Sequence, residues 1–282
     1  MNYLDSFSGS KFKLFENNNT IYLKKFYRSL NIREVQSFQK QKNFEGYYLG
    51  KFKILSAEIS KIEKKKKFIV LKYYNGLAGS ELMLKGDVYT HNVLNSFLKN
   101  YINNLLINSE IKKFDKEIYL KKCNQIKRKT QLKHRYIFKK ISKNIYSKLE
   151  GIKYNINGKC HGDLTLSNII INLETKEIIL IDFLKTYKDY PLQDICKLIQ
   201  DIRLYWSARK FGENDLLRAK SFCNNLNPFS SIKKNSYYKL LELEMLMTLL
   251  RILPYVPVED NDTIKWLESS YEKITYNFIK NI

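Results

Sequence analysis

Three polar residues with a spacing suited to phosphoryl transfer lie in one short stretch of the chain. Asp163 stands first, Asn168 follows five residues later, and Asp182 follows fourteen residues after that. Transfer of a γ-phosphoryl group needs a carboxylate that orients the attacking hydroxyl, a second carboxylate that holds Mg²⁺, and a neutral amide oxygen that completes the metal site. Asp163, Asp182 and Asn168 match these roles in that order. We therefore predict Asp163 as the catalytic base, and Asn168 and Asp182 as metal ligands.

Two short strands are predicted to position the metal ligands. Residues 169–173 and 178–181 are apolar and rich in β-branched side chains, which favours strands. The polar residues 174–176 between them would form the turn. A hairpin fixes the separation of its two ends, and such preorganisation provides much of the catalysis in phosphoryl transfer.

The same stretch resembles the aminoglycoside phosphotransferase and choline kinase superfamily, whose members are small-molecule kinases with a protein-kinase-like fold. The resemblance rests on the HGD sequence at 161–163, on Asn168, and on the strand that ends in Ile-Asp-Phe at 181–183. Protein kinases carry Arg in place of Gly162 and Gly in place of Leu184, so the small-molecule branch is favoured. The wording HGDLTLSN, with YPLQDICKL further on, is most similar to phosphotransferases encoded with bacterial surface-polysaccharide genes.

The resemblance implies an α+β, two-lobed fold. Residues 1–74 would form a small antiparallel β lobe with one helix that binds the nucleotide, and residues 75–282 a larger, mostly helical lobe for catalysis and acceptor binding. The implied function is ATP-dependent phosphorylation of a hydroxyl on a sugar, polyol or amino alcohol, for surface-polysaccharide biosynthesis. The alternatives are a nucleotide-binding pseudokinase or regulatory module, and an aminoglycoside- or choline-type kinase.

The resemblance also implies a lysine on an N-terminal strand that contacts the ATP phosphates. Lys24 and Lys25 are the candidates, and strand alternation allows only one of them to face the cleft. We choose Lys24, because it fits the family's apolar-x-Lys pattern. Glu34, on the helix that follows, either orients this lysine or completes a capping box with Asn31.

Two backbone segments are further candidates for nucleotide binding. The turn Ser8, Gly9 and Ser10 precedes a hairpin and could lay N–H groups over phosphates. Leu71 and Tyr73 lie at the predicted hinge between the lobes, where the backbone would hydrogen-bond adenine. The resemblance further implies that Asp194 pins the catalytic loop by hydrogen bonds.

The amino-acid composition and net charge limit the kinds of partner that we expect. The net charge is +22, but the lysines are scattered, and no patterned arginines or aromatic platform of a nucleic-acid reader occurs. We therefore attribute the charge mainly to composition bias and predict no specific nucleic-acid partner. No apolar run is long enough for a transmembrane helix, and the N-terminus shows no secretory signal, so we expect a cytoplasmic protein with reduced cysteines.

The acceptor is the least determined partner, because its pocket depends on side chains from several C-terminal helices. A pocket for an aminoglycoside would carry clustered carboxylates. Asp201, Glu242 and Glu244 are available for this purpose. The sequence leaves their grouping open, as it does the oligomeric state.

Overall fold

The structure is a computed structural model that describes residues 4–5, 11–232 and 237–276. Its strands are β1 (Leu4–Asp5), β2 (Lys11–Asn17), β3 (Thr20–Phe26), β4 (Tyr47–Leu49), β5 (Phe52–Ser56), β6 (Ile59–Glu63), β7 (Phe68–Lys72), β8 (Leu77–Ala78), β9 (Glu110–Lys113), β10 (Tyr154–Asn157), β11 (Ile169–Asn172) and β12 (Glu177–Leu180). Its α-helices are α1 (Ile32–Lys42), α2 (Gly79–Lys85), α3 (Val88–Ile107), α4 (Lys116–Lys129), α5 (Arg135–Leu149), α6 (Pro191–Ile202), α7 (Glu213–Asn224), α8 (Tyr238–Leu250) and α9 (Asn261–Thr275). Single 3₁₀ turns cover Leu132–His134, Leu166–Asn168 and Leu253–Tyr255.

The chain forms two compact units. The first comprises Met1–Glu81 and Ser167–Lys185, and the second comprises Leu82–Leu166 and Thr186–Ile282. The N-terminal region is built on antiparallel sheet and the C-terminal region is helical, which confirms the predicted fold class. The β11–β12 hairpin belongs to the first unit, although the sequence prediction assigned it to residues 75–282. The division of nucleotide binding and catalysis between residues 1–74 and 75–282 stays a prediction.

Two sheets make up the framework of the first unit. One has the strand order β1-β2-β3-β7-β6, and the other has the order β4-β5-β12-β11-β8. All described pairs are antiparallel except β12 with β5, where Ile178 lies opposite Ile54 in parallel register. The hairpin predicted from the apolar runs is present, and Ile169 lies opposite Leu180 at its open end. The open end of the hairpin therefore lies beside Asn168.

The sequence of residues 52–61 predicts one strand, and this prediction is wrong. The segment divides into β5 and β6, which belong to different sheets. The backbone at the break bonds in two directions, because the Ala57 N–H donates to the Leu180 carbonyl and the Glu58 carbonyl accepts from the Lys72 N–H. Neither Gly nor Pro marks this point in the sequence, so local pattern alone gives no stop signal.

The second unit is built around two buried helices. α8 buries every residue from Leu240 to Leu250, and α6 buries nearly its whole length. A helix that is apolar on most sides belongs at the centre of a bundle, and α8 packs against α5, α6 and α9. All four cysteines are buried and free. Among the described residues, no helix combines the length and apolar character that crossing a bilayer requires.

A carboxyl group lies inside this helical core. The hydroxyls of Tyr119 and Tyr187 both donate to Glu244, which is almost fully buried on α8. Burial disfavours the carboxylate and raises the pKa of Glu244 to about 7, even though the two hydroxyls and the charges of Arg251 and Lys188 oppose this shift. Glu244 therefore keeps its proton in the folded chain at pH values where the unfolded chain has lost it.

We expect Glu244 to make the folded chain less stable as pH rises. The folded state binds one more proton than the unfolded state between the ordinary pKa and about 7, so the free energy of unfolding falls across this window. Glu244→Gln should reduce the loss between pH 5 and pH 8 by about 2 to 3 kcal/mol. Urea unfolding at both pH values measures this loss. The exposed Glu272→Gln serves as the control, and an equal effect from both variants would contradict the assignment.

Candidate active site

A buried carboxylate fixes the loop that carries Asp163. Asp194, on α6, accepts hydrogen bonds from the backbone N–H groups of His161 at 2.5 Å and Gly162 at 2.7 Å. It also accepts one from the Tyr101 hydroxyl at 3.0 Å. Three donors compensate a carboxylate with no exposed surface. This is the loop-fixing contact that the family resemblance implies for Asp194.

The same helix holds the other end of the loop. Asp201 lies two turns after Asp194 and accepts from the Leu166 N–H at 2.7 Å and the Ser207 N–H at 2.8 Å. Burial raises the pKa of Asp201, although these hydrogen bonds oppose the shift. Residues 161–166 are therefore anchored at both ends by carboxylates of one buried helix. The sequence reasoning considered Asp201 for an acceptor pocket and missed this role.

The backbone and the first residue of the HGD motif support this loop locally. Gly162 has φ +94°, a conformation that L side chains rarely adopt. The fully buried ring of His161 accepts from the Asp163 N–H at 3.3 Å through Nδ1. Gly162 thus permits the turn, and His161 fixes the backbone that presents Asp163.

Lys197 neutralises the Asp163 carboxylate. Its Nζ lies 3.0 Å from Asp163 Oδ1, and about a third of the Asp163 side chain is exposed against 14% for Lys197. Burial alone would raise the pKa of Asp163, but the ion pair with Lys197 and the charges of Arg251 and His161 outweigh it and lower the pKa. Asp163 is therefore ionised at neutral pH. The sequence reasoning missed Lys197, although its place three residues after Asp194 puts both on one side of α6.

In the first unit, Asp182 forms an ion pair with Lys25. The Lys25 Nζ lies 2.7 Å and 2.8 Å from the two carboxylate oxygens, and it is buried while Asp182 is 43% exposed. Lys24 places its Nζ 3.8 Å from the centre of the Phe68 ring. Neighbouring strand residues point to opposite faces, so β3 brings Lys25 to Asp182 and directs Lys24 away. Lys25 is therefore the lysine that contacts Asp182, whereas the sequence prediction chose Lys24 for the phosphates.

The backbone at Asp182 adopts an uncommon conformation. Its φ is +57°, in the left-handed region that few residues other than glycine occupy. Hydrogen bonds on both sides hold it there, because the Ile181 N–H donates to the Asn168 carbonyl at 3.1 Å and the Phe183 N–H donates to the Gln41 side chain at 3.4 Å. Strained positions fixed by their surroundings are typical of functional sites.

The donor set at this end of the hairpin fits Mg²⁺. Asp182 offers carboxylate oxygens and follows β12. Asn168 directly precedes β11, the strand that pairs with β12. Mg²⁺ is commonly held by one or two carboxylates together with substrate phosphates. Within residues 4–5, 11–232 and 237–276, no group of three His, Cys, Asp or Glu side chains could hold a metal ion by itself. Asn168 and Asp182 stay predicted metal ligands.

Glu34, Leu71 and Tyr73 are further residues that the sequence predicts to contact the nucleotide. Glu34 accepts from the Asn31 N–H at 3.0 Å and completes the capping box of α1, which is one of its two predicted roles. Leu71 lies between Leu23 and Ile59 in the first sheet, and the Tyr73 N–H donates to a carbonyl of β3 at 2.9 Å. That donor is already used inside the sheet.

The turn Ser8, Gly9 and Ser10 lies outside the described residues. The structure therefore gives no contact for this turn. Its predicted place over the nucleotide phosphates stays a prediction.

Comparison with known proteins gives solved structures only, since no protein-family model and no curated protein matches the chain. A spectinomycin phosphotransferase, APH(9)-Ia, in complex with ADP and spectinomycin is 11% identical with a TM-score of 0.48, over 99% of this chain and 93% of that chain. A choline/ethanolamine kinase family protein from Mesorhizobium loti is 14% identical with a TM-score of 0.46, over 97% and 86%. WaaP in complex with acyl carrier protein is 10% identical with a TM-score of 0.33, over 96% and 88%.

The chain is thus similar to an aminoglycoside phosphotransferase and to a choline/ethanolamine kinase family protein. Identities and TM-scores this low leave the chemistry to be argued from the side chains of this chain.

Proposed function

We propose that the chain is a kinase that transfers the γ-phosphoryl group of ATP to a hydroxyl of a small molecule. The observation that carries this proposal is the anchored loop 161–166. Two buried carboxylates hold its ends, and between them stands Asp163, ionised and partly exposed. A purely structural aspartate needs neither the fixed backbone nor the exposure, whereas a residue that orients a substrate hydroxyl needs both.

In the proposed reaction the acceptor oxygen attacks the γ-phosphorus of ATP. The bond between the γ-phosphorus and the β–γ bridging oxygen breaks, and ADP leaves with that electron pair. The acceptor hydroxyl loses its proton to the carboxylate of Asp163. Its lowered pKa keeps Asp163 ionised, so it accepts a hydrogen bond from the hydroxyl in the ground state and takes the proton as the new bond forms.

The groups proposed to bind the nucleotide and metal lie mainly in the first unit. Asn168 and Asp182 would hold Mg²⁺, which when bound neutralises phosphate charge. Lys25 replaces Lys24 as the lysine proposed for the phosphates, because Lys25 stands beside Asp182. The Ser8–Ser10 turn remains the proposed contact for the phosphates. The Leu71–Tyr73 backbone remains the proposed contact for adenine, except for the Tyr73 N–H, which is already bonded within the sheet.

We expect Asp163→Asn to lower phosphoryl transfer by about 10² to 10⁴-fold, because asparagine cannot accept the hydroxyl proton. ATP affinity should stay close to that of the wild type. ADP release in the presence of an acceptor and nucleotide titration measure the two properties. The exposed Asp262→Asn is the control, and retention of half the wild-type rate by Asp163→Asn would remove this residue from the mechanism.

The two neighbouring lysines should differ in their effect on ATP. Lys25→Met should weaken ATP binding about 10- to 100-fold, the size expected for loss of charge-assisted hydrogen bonds. Lys24→Met, a matched change one residue away, should bind ATP almost as the wild type does. Titration with a non-hydrolysable ATP analogue measures both affinities. A larger loss from Lys24→Met than from Lys25→Met would restore the original sequence prediction.

Chelation should abolish the activity. Treatment with EDTA removes divalent metal, and added Mg²⁺ should restore turnover, because Asn168 and Asp182 are hard oxygen ligands. Asp182→Ala should weaken binding of the metal–nucleotide complex more than Asp163→Asn does. Steady-state rates across a Mg²⁺ titration provide the measurement, and full activity in EDTA would refute the metal assignment.

A further inference from the structure

One stretch of the second unit carries positive charge without any negative charge. Residues 118–149 contain eleven lysines and arginines and no aspartate or glutamate, whereas the whole chain of 282 residues has 50 basic and 28 acidic ones. A biased composition enriches lysine along the chain, but it does not remove acidic residues from one segment. This stretch therefore differs from the rest of the chain.

Seven of the eleven cations lie at the corner between α4 and α5, which we call the basic corner (residues 127–140). It comprises the last residues of α4, the 3₁₀ turn Leu132–His134 and the first turns of α5. All seven side chains are exposed: Lys127, Arg128, Lys129, Lys133, Arg135, Lys139 and Lys140. Because one short piece of chain carries them all, their charges act together.

Two large apolar side chains are exposed within the basic corner. Leu132, in the 3₁₀ turn, is 75% exposed, and Tyr136, in the first turn of α5, is 52% exposed. The next two residues, Ile137 and Phe138, are buried and attach the corner to the helical core. The corner therefore presents apolar groups to the solvent in the middle of its cations.

Acidic side chains of the neighbouring helices neutralise only part of this charge. Glu272 on α9 lies 3.3 Å from Lys140, and Glu242 on α8 lies 2.7 Å from Lys148, beyond the corner. Lys133 donates to a backbone carbonyl at 3.1 Å. Within the part of the chain that the structure describes, the side chains of the other five cations of the basic corner make no hydrogen bond or ion pair.

The positive charge at the start of α5 is unfavourable for the helix itself. A helix N-terminus carries the positive end of the macrodipole, so aspartate or glutamate is favoured there. α5 has no acidic residue in its first turn, and its N-cap residue His134 makes no side-chain capping hydrogen bond. Lys133 and Arg135 stand on either side of His134 instead. Binding of a partner explains these charges better than stabilisation of the helix does.

We propose that the basic corner binds the surface of an anionic lipid bilayer, with Leu132 and Tyr136 inserted among the headgroups and the cations against the lipid phosphates. Charge complementarity selects an anionic partner, and the exposed apolar side chains select one with an apolar interior beneath its charged surface. A nucleic acid would pair with the cations through its phosphates but would leave Leu132 in water. We therefore exempt the basic corner from the composition bias to which we attribute the net charge of the chain.

The test is co-sedimentation of the intact chain with vesicles in the absence of nucleotide. Vesicles of equimolar phosphatidylcholine and phosphatidylglycerol are compared with vesicles of phosphatidylcholine alone, at low and at physiological salt. We expect binding to the anionic vesicles at both salt concentrations and little binding to the neutral ones. The triple variant Lys129→Gln, Arg135→Gln and Lys139→Gln should lower the partition coefficient about 10- to 100-fold, because each basic residue near an anionic surface contributes to the attraction.

Matched variants separate the basic corner from diffuse charge. Lys64→Gln, Lys65→Gln and Lys66→Gln together remove the same charge from an exposed turn of the first unit and should bind vesicles almost as the wild type does. Leu132→Ser should lower the partition coefficient roughly 5- to 10-fold and leave binding to duplex DNA unchanged, because only the bilayer buries this side chain. Leu217→Ser, which changes a leucine that is 58% exposed on α7, is its control.

Failure to sediment with anionic vesicles at physiological salt would overturn the inference. Equal losses from the two triple variants would assign the binding to the net charge of the chain and would overturn it as well. The same holds if Leu132→Ser binds vesicles as the wild type does, or if duplex DNA binds more tightly than the vesicles. Since the assay contains neither nucleotide nor acceptor, each of these outcomes leaves the kinase proposal standing.

Discussion

The hydrogen bonds that Asp194 and Asp201 accept from backbone N–H groups are the interaction on which the proposed catalytic loop depends. Both carboxylates are fully buried on α6, so their desolvation would be costly without these donors. The loop amides provide the donors and are themselves satisfied in return. α6 is buried along nearly its whole length, so its hydrogen bonds hold the loop against the closely packed helical core. Asp163 is therefore presented by a loop that is hydrogen-bonded to the buried core of the second unit.

The sequence was sufficient for features that depend on local pattern. The hairpin β11–β12 follows from two β-branched runs separated by a polar turn, and α1 follows from its capping box. The break between β5 and β6 was missed because it depends on which strands bond to residues 57 and 58. Tertiary structure decides this pairing, and the residue types at the break do not indicate it.

The candidate site shows the same limit. Asp163, Asn168 and Asp182 stand out because their order and spacing carry the chemistry. Lys25 and Lys24 are equivalent by composition, and only the register of β3 against β7 decides which one faces Asp182. Lys197 lies far from Asp163 in the sequence, and only the packing of α6 behind the loop brings the two side chains together. The sequence thus identifies candidate residues, and tertiary contacts determine their interaction partners.

Each proposed functional carboxylate is neutralised by a lysine of its own unit. Lys25 occupies both oxygens of Asp182, and Lys197 occupies one oxygen of Asp163. Each ion pair therefore offsets part of the desolvation cost of these charges before any ligand arrives. In the proposed function, an anionic ligand group would replace the carboxylate as the partner of the lysine, so that one ion pair is exchanged for another. Under the proposed function, phosphates would pair with Lys25 as Asp182 binds a metal, and a similar exchange at Lys197 would leave Asp163 to accept the hydrogen bond of the acceptor hydroxyl.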